Sequence, residues 1–269
     1  MTQLIKAIET SDGAGVKIFR SIGGTQQVED YDPLLMLDEF SSENSEDYIN
    51  GFPEHPHCGF QTLTYMLNGT MYHEDSLNNS GKLGPGDVQW MTAGKGIIHS
   101  EMPAQEKGLM RGFQLWVNLP SKDKYCEPTY LDIRQNDIPT VKEESVITKV
   151  IAGRFNNIMG PIDSGATKLD FLDIKRTQSE QRLKLNEEKK HFLYVFEGEL
   201  IIDDKLLIAR CGISLHKNST ICCENFARYL VISALPLKEP VVKYGPFVMN
   251  NKSQILEAFE KYKNGTFGT

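Results

Sequence analysis

The hydrophobic residues of this 269-residue chain fall in short runs that either alternate with polar residues or are rich in aromatic side chains. Such runs, bounded by turn residues, are typical of β-strands, because successive side chains of a strand point to opposite faces. The turns are marked by Asn68-Gly69, Gly84-Pro85-Gly86-Asp87 and Asp203-Asp204. The clearest runs are FQTLTYML, DVQWMT, GFQLWVNL, HFLYVFEGEL and ARYLVISAL. Many short strands at this density predict a β-sandwich or a β-barrel.

Only the C-terminal segment has a clear helical period. Its apolar stripe consists of Ile255, Leu256, Phe259 and Tyr262. Ser253 precedes the stripe and is a residue type that caps helix N-termini. Asn264-Gly265 follows it and is typical of a helix end. The pattern therefore predicts one helix at the end of a β-rich chain.

Two pairs of potential metal ligands stand out from this pattern. His55 and His57 lie in FPEHPHCGF, and His99 and Glu101 lie in GIIHSEM, each pair at a spacing of i, i+2. On a strand that spacing puts both side chains on one face. Two such pairs on neighbouring strands would converge as three imidazoles and one carboxylate. This donor set suits a divalent transition metal, with iron, manganese, nickel, copper and zinc all acceptable, and it leaves coordination positions open for a reactant.

A single His-x-His is more often a surface turn or a satisfied polar pair than a metal site. Here the second pair sits beside the Gly-rich turn run GPGDVQWMTAGKG, and four of the usual ligand types occur at matched strand spacing. The combination favours a metal site.

A weak internal repeat divides the chain. YMLNGTM, which starts at Tyr65, is echoed by YVFEGEL, which starts at Tyr194, and a Gly-containing turn follows each copy. Alignment on these landmarks places Lys184 and Asn186 opposite the first histidine pair. It places Asn225 and Ala227 opposite His99 and Glu101. None of the four is an equivalent ligand, so the second copy is expected to be a metal-free barrel with a packing role.

Composition limits the classes of partner and the compartment. The net charge of −7 argues against a direct nucleic-acid surface, which needs clustered Lys and Arg. No apolar run approaches the roughly 18 residues of a membrane span, and the N-terminus has no signal-peptide core. The five cysteines form no regular framework, which favours a reducing compartment. We therefore expect a cytoplasmic protein, nuclear as well in a eukaryote, with neither membrane nor nucleic acid as partner.

Four longer strings resemble the pirin family, a group of bicupin proteins within the cupin superfamily. These strings are FPEHPHCGFQTLTYMLNG, GKLGPGDVQWMTAGKGIIHSEMP, QLWVNLP and GPFVMNNKSQILEAFEKYKNGTFG. The resemblance implies an all-β fold of two cupin (jelly-roll) β-barrels packed together, with a short C-terminal helix. It implies a metal-binding barrel over residues 1–142 and a metal-free barrel with the helix over residues 143–269.

The same resemblance implies the cofactor and its ligands. In pirins a mononuclear Fe(II) is held by the residues that correspond to His55, His57, His99 and Glu101. Two positions depart from the family motif, since Cys58 stands in place of an Arg and Gln61 in place of a Glu. The departures suggest a less polar pocket or altered support of the ligands. A quiet, half-buried thiol is the expected state of Cys58.

The implied activity is that of a quercetin 2,3-dioxygenase, an oxidoreductase that opens a flavonol with O2. Glu101 is then the candidate catalytic residue, as a ligand that also accepts the proton of the substrate hydroxyl. Some pirins instead act as redox-sensing cofactors of transcription, so a transcription-regulating protein partner is the alternative. The sequence leaves this choice open.

Overall fold

The computed structural model of the protein describes residues 4–24 and 28–267. The first strands along the chain are β1 (Leu4–Lys6), β2 (Ile8–Asp12), β3 (Val16–Ile22), β4 (Leu34–Ser42), β5 (Phe52–His57), β6 (Phe60–Asn68), β7 (Met71–Asp75), β8 (Ser80–Leu83), β9 (Val88–Thr92), β10 (Ile97–Pro103), β11 (Met110–Asn118) and β12 (Thr129–Ile133). The later strands are β13 (Thr140–Lys142), β14 (Val146–Ala152), β15 (Arg154–Phe155), β16 (Ile158–Met159), β17 (Asp170–Arg182), β18 (Lys190–Ile202), β19 (Lys205–Ile208), β20 (Cys211–Ser214), β21 (Thr220–Ala234), β22 (Val242–Tyr244) and β23 (Phe247–Met249). The helices in the described ranges are α1 (Val28–Tyr31), α2 (Lys252–Lys263) and 3-10 turns at Ser45–Asp47, Ser121–Asp123, Gln135–Asp137 and Gly165–Thr167. The all-β prediction with a short C-terminal helix is confirmed.

The chain forms two compact units, which we call the first barrel and the second barrel. The first barrel comprises Glu9–Gln135 together with the chain from Leu237 onward, and the second comprises the chain up to Ile8 together with Asn136–Pro236. This division differs from the predicted one at residues 142 and 143, which placed the helix in the second domain. The reason is that the apolar residues of the C-terminal segment pack into the core of the first barrel.

The first barrel is built from two main sheets. Within the described residues, one has the strand order β12-β9-β6-β11-β4-β3-β2 and the other β5-β10-β7-β8. β6 pairs with β9 on one side and β11 on the other, so its side chains from Phe60 to Met66 are all buried. Thr62 and Thr64 are among them, which places polar groups inside the barrel. The interior of the first barrel therefore contains hydrogen-bonding groups as well as apolar side chains.

The second barrel is one extended sheet with the strand order β1-β20-β18-β21-β17-β14-β13, and β19 pairs with β18. Its core is formed by side chains that alternate along the long strands, such as Leu172 and Ile174 of β17 and Tyr229 and Val231 of β21. Leu172 lies opposite Val231, and Ile174 lies opposite Tyr229. The inner face therefore follows the two-residue period of the sequence.

The C-terminal segment is held to the first barrel by backbone and side-chain contacts. Phe247 and Met249 of β23 pack with Cys58, and the backbone N–H of Val248 donates to Cys58 O at 3.0 Å. Lys124 is fully buried, and its Nζ donates to Gly59 O at 2.7 Å, Val248 O at 2.8 Å and Asn118 Oδ1 at 2.5 Å. One buried ammonium group thus ties the start of β6 to the C-terminal segment.

Helix α2 begins and packs differently from the prediction. Its N-cap is Asn251, whose side chain accepts from the backbone N–H of Gln254, and Gln254 closes a capping box; Ser253 is therefore not the cap. Ile255 is buried as expected, but Leu256 is 65 % exposed and Tyr262 is 42 % exposed. The face that packs against the barrel is thus narrower than the predicted stripe. The predicted end at Asn264-Gly265 is confirmed, because Asn264 is the C-cap and Gly265 follows it with φ +67°.

No helix in the described ranges combines the length and the apolar character that crossing a lipid bilayer requires.

Candidate metal centre and its cavity

Strands β5 and β10 lie side by side and bring three histidines together. His99 pairs directly with His55 across the two strands, and His57 pairs with Ile97. The potential ligand nitrogens of His55, His57 and His99 all lie within 4.8 Å of one another. The two-residue spacing thus aims each histidine pair at a common point, and among the described residues this is the group of three that can hold a metal ion.

The outer nitrogens of two rings have partners that orient the rings. His55 Nδ1 lies 2.8 Å from Pro53 O, a carbonyl to which an Nδ1–H donates. His99 Nδ1 lies 3.0 Å from Tyr130 Oη. With both Nδ1 atoms protonated, the Nε2 atoms of His55 and His99 carry lone pairs. His99 Nε2 is buried and has no hydrogen-bond partner among the described residues. An unpartnered buried acceptor in a cluster of imidazoles fits a metal ion.

Burial also keeps the histidines in the form that binds metals. The pKa of His57 lies well below its usual value because of burial, with further lowering from the neighbouring His99 and His55. The pKa of His99 is lowered in the same way, by burial first and then by His55 and His73. Neutral imidazole is the ligating form, so His57 and His99 need little deprotonation before a metal binds near neutral pH.

Glu101 is a buried carboxylate beside this cluster. β10 carries a bulge between His99 and Glu101, after which Glu101 lies opposite Phe52. Thr64 Oγ1 donates to Glu101 Oε1 at 3.1 Å, and Gln114 Nε2 donates to Oε2 at 3.1 Å. Both partners are neutral, so within the described chain the negative charge is not balanced by an ion pair. Because an uncompensated buried charge is costly, the carboxylate fits a nearby cation or proton. Its role as the fourth ligand stays a prediction.

A cavity of about 580 Å³ opens onto His55, His57 and Glu101. Its lining includes His55, His57, Glu101, Gln114, Trp116, Arg20, Asp38, Phe40, Phe52, Lys243 and Pro246. Such a volume, with aromatic walls and a few polar groups, is typical of sites for small organic ligands. His55, His57 and Glu101 therefore lie at the wall of a site that can admit a substrate.

The charged wall of the cavity contains an ion pair and a cation–π contact. Arg20 Nε donates to Asp38 Oδ1 at 2.8 Å and Nη2 donates to Oδ2 at 2.6 Å, a bidentate pair on two adjacent strands. Lys243 Nζ lies 5.0 Å from the centroid of the Trp116 ring, within cation–π distance. The Trp116 ring lies 5.1 Å from His57, edge to face. An aromatic surface thus lies next to the histidines.

Sequence reasoning did not identify these wall residues. Arg20 and Asp38 lie on the consecutive strands β3 and β4, whereas Lys243 lies on β22, far later in the chain, and no short motif connects the three. Trp116 lies within the quoted string QLWVNLP but had no role attached to it. Tyr130 could have been found only from the pairing of β12 with β9. These residues can be identified only from the packing of strands in three dimensions.

The two departures from the family motif lie outside the cavity lining. Cys58 is 1 % exposed, packs with β23, and has its pKa raised to about 11 by burial. This agrees with the expected quiet thiol, although it is fully rather than half buried. Gln61 Nε2 donates to Thr92 Oγ1 at 3.0 Å. The prediction of a less polar pocket finds no support in the positions of these two side chains.

The residues that the internal repeat aligned with the ligands lie in the second barrel. Lys184 and Asn186 line a separate cavity there. Asn225 and Ala227 lie on β21, and Ala227 is part of the apolar core.

Comparison with known proteins agrees with this geometry. The model of the Pirin family matches residues 15–117, and that of the Pirin C-terminal cupin domain matches residues 172–268. A Pseudomonas aeruginosa protein named "Putative quercetin 2,3-dioxygenase" is 45 % identical over 266 residues, covering 95 % of this chain and 93 % of that protein. A pirin-like protein of Caulobacter vibrioides is 40 % identical over 98 % of both chains. A crystal structure of quercetin 2,3-dioxygenase from Acinetobacter baumannii superposes with a TM-score of 0.91 at 30 % identity, covering 99 % of this chain and 97 % of that one.

Proposed function

Since the chain belongs to the pirin family, a group of proteins with two cupin domains, we propose that it is a metal-dependent dioxygenase of the quercetin 2,3-dioxygenase type. The observation that carries the proposal is the convergence of His55, His57 and His99 beside the buried Glu101 and a cavity of about 580 Å³. The quercetin dioxygenase names of two similar proteins support the reaction class.

The proposed cofactor is Fe(II), held by His55, His57, His99 and Glu101. Manganese, nickel, copper and zinc would also accept three imidazoles and a carboxylate, so the donor set alone does not select iron. A bound divalent metal supplies a Lewis acid that stabilises the anion of a hydroxylated substrate. The partners are therefore a flavonol and O2.

Side chains of the first barrel position the substrate and accept its proton. The flavonol rings are placed against Trp116, whose face is fixed by Lys243, and the Arg20–Asp38 pair forms the polar end of the cavity. Glu101 accepts the proton of the flavonol hydroxyl, because it is a buried carboxylate at the cavity surface. Thr64 and Gln114 hold its two oxygens in place for that transfer.

The test is aerobic incubation of the Fe(II)-reconstituted protein with quercetin, with substrate absorbance and released carbon monoxide as readouts. The expected result is loss of absorbance together with carbon monoxide from the wild type and neither from His57→Ala. His216→Ala is the matched control, because His216 is exposed on the second barrel. It should retain full turnover.

A protein that holds iron and does not turn quercetin over would contradict the proposed reaction. In that case the redox-sensing role is the one to test. Capture of a transcription-regulating partner by the Fe(II) and Fe(III) forms would be compared, with His57→Ala as the metal-free reference.

A further inference from the structure

The second barrel contains a cavity that the proposed dioxygenase does not use. It has a volume of about 500 Å³ and opens among β14, β17 and β21. Its apolar walls include Val146, Phe155, Leu172, Ile174, Leu183, Leu185, Ile221 and Val231. A barrel with only a packing role would fill such a space with side chains, since protein interiors are close-packed. This cavity instead combines apolar walls with one buried charge.

The buried charge is Arg176, which is 3 % exposed. Its Nε donates to Tyr229 Oη at 2.9 Å, and its two terminal nitrogens donate to Ser179 Oγ at 3.0 Å and Gln181 Oε1 at 2.6 Å. All three acceptors are neutral. Within the described chain, no carboxylate forms an ion pair with Arg176.

Two other arginines of the molecule, in contrast to Arg176, are paired with buried carboxylates. Asp173 is paired with Arg228 at 2.6 Å on the outer face of the same strand, and Glu39 is paired with Arg111 at 2.8 Å in the first barrel. Burying a guanidinium without an anion is unfavourable, because its hydration is lost and its three neutral acceptors do not balance its charge. Arg176 therefore lies where an anion from outside the chain would complete the pair.

Hydrogen-bond donors without an acceptor among the described residues lie around Arg176. The three bonds of Arg176 occupy three of its five N–H groups, and no described residue accepts from the other two. Thr148 Oγ1 is buried and has no partner in the described structure. Tyr229 accepts from Arg176, and no described acceptor takes its own hydroxyl hydrogen. Burial raises the pKa of Tyr229, so the phenol keeps that hydrogen.

These donors lie on one face of the sheet. Thr148 pairs with Ile174, and Ile174 pairs with Tyr229, so the three form a row across β14, β17 and β21. Arg176 is two residues beyond Ile174 on β17 and therefore points to the same face. All four residues line the cavity.

The charges at the edge of the cavity also favour an anion. Arg154, Arg182 and Lys184 are basic lining residues in a protein whose net charge is −7. Of the acidic lining residues, Asp170 is already paired with Lys189, and Glu143 is exposed. The cavity is thus a positive region on an acidic molecule, which attracts anions and repels cations.

From these observations we infer that the second barrel binds a small carboxylic acid with an apolar body. Arg176, Tyr229 and Thr148 donate to the carboxylate, and the apolar walls enclose the remainder of the ligand. A carboxylate suits the site because its two oxygens match the two free N–H groups of one guanidinium. The repeat alignment places Lys184 and Asn186, at the edge of this cavity, opposite the histidines of the metal centre. The second barrel therefore keeps a ligand site where the first keeps its metal.

The probe for this site is 4-fluorobenzoate, observed by 19F NMR as the full-length protein is added. We expect line broadening and a saturable shift from the wild type, and at least tenfold weaker binding by Arg176→Gln. Lys175→Gln is the matched control, because Lys175 is the adjacent residue of β17 and is exposed on the opposite face. It loses the same charge and should bind as the wild type does. The uncharged 4-fluorobenzamide should not bind.

Two further variants separate this site from the metal centre and from a folding defect. His57→Ala should bind 4-fluorobenzoate like the wild type, since the inferred site does not involve the first barrel. Thr148→Val keeps the shape of the side chain and removes an unpartnered hydroxyl, so it should fold at least as stably and bind several-fold more weakly. Equal binding by wild type and Arg176→Gln, equal binding of the amide, or no binding at millimolar 4-fluorobenzoate would each overturn the inference. Loss of binding in His57→Ala would assign the probe to the metal centre and would also overturn it.

Discussion

Glu101 differs from the three histidines in the kind of neighbour that it has. The rings of His55 and His99 are oriented by Pro53 O and Tyr130, whereas Glu101 accepts only from neutral donors and faces the cavity. Its carboxylate can therefore act both on a metal and on a substrate proton. Metal binding and proton transfer should respond differently when the negative charge of Glu101 is removed.

Glu101→Gln should lower quercetin turnover by about 100-fold or more, the usual effect of removing a general base. Metal content should fall much less, because the three imidazoles remain. Iron per protein, measured by atomic absorption, is compared with the initial rate at the same iron loading. Parallel losses of iron and of rate would reduce Glu101 to a ligand without a part in proton transfer.

The cysteines differ in burial, and this sets their reactivity. Cys58 has its pKa raised to about 11 by burial, so its thiolate is scarce at pH 8 and its sulfur is shielded. Cys222 is partly exposed. Native protein treated with iodoacetamide at pH 8 should be alkylated at Cys222 well before Cys58, as measured by peptide mass spectrometry. Early alkylation of Cys58 in folded protein would contradict its burial, and urea-unfolded protein, in which both react, serves as the control.

At the scale of elements, a buried lysine helps to hold the hairpin of β22 and β23 to the first barrel. Lys124 donates to Val248 O, and burial lowers its pKa to about 7. The folded state thus binds fewer protons than the unfolded state between pH 7 and the usual lysine pKa of about 10.5. By linkage, the free energy of unfolding therefore rises with pH across that window, by up to about 1.4 kcal/mol per pH unit. This gain in stability is lost as the pH falls to 7.

The lysine prediction is tested by urea unfolding of wild type and Lys124→Met at pH 7, 8 and 9. The free energy of unfolding of the wild type should rise relative to the variant over this range. At pH 9 the variant should be less stable than the wild type by about 2 kcal/mol or more, because buried oxygens that accept from Lys124 lose their donor. A difference that does not change with pH would mean that the three oxygens keep the ammonium charged.

The sequence predicts features that depend on residues close together in the chain better than features that depend on contacts between distant segments. The strand period of two residues places His55 with His57 and His99 with Glu101, so the candidate ligands can be read directly. The helix start was misread because Asn251 and Ser253 are both capping types, and only the capping box with Gln254 distinguishes them. The cavity walls could not be read, since strand order is set by packing between distant segments.

At the scale of the whole molecule, metal binding should stabilise the first barrel and leave the second unchanged. Each barrel has its own core, and the candidate ligands all lie on β5 and β10 of the first. Anaerobic Fe(II) at 100 times its dissociation constant should stabilise the folded first barrel by about 2.7 kcal/mol. Hydrogen exchange followed by mass spectrometry should then slow in peptides from β5 and β10 and stay unchanged in β17.

The control for this measurement is His57→Ala, which should show no protection when Fe(II) is added. Equal protection of β17 and β5 by the metal would contradict a site confined to the first barrel. The same experiment with 4-fluorobenzoate should give the reverse pattern, because the inferred carboxylate site lies on β14, β17 and β21.

The return of the C-terminal segment to the first barrel bears on how the protein is made. Lys243 and Pro246 complete the cavity wall, and Val248 packs between Leu35 and Phe60. A ribosome reaches these residues only after the second barrel has been synthesised, so the first barrel waits for the rest of the chain before its cavity can close. The candidate ligands are thus synthesised well before the residues that complete the cavity wall, and a nascent chain that stalls after the second barrel would carry all four of them without the finished cavity.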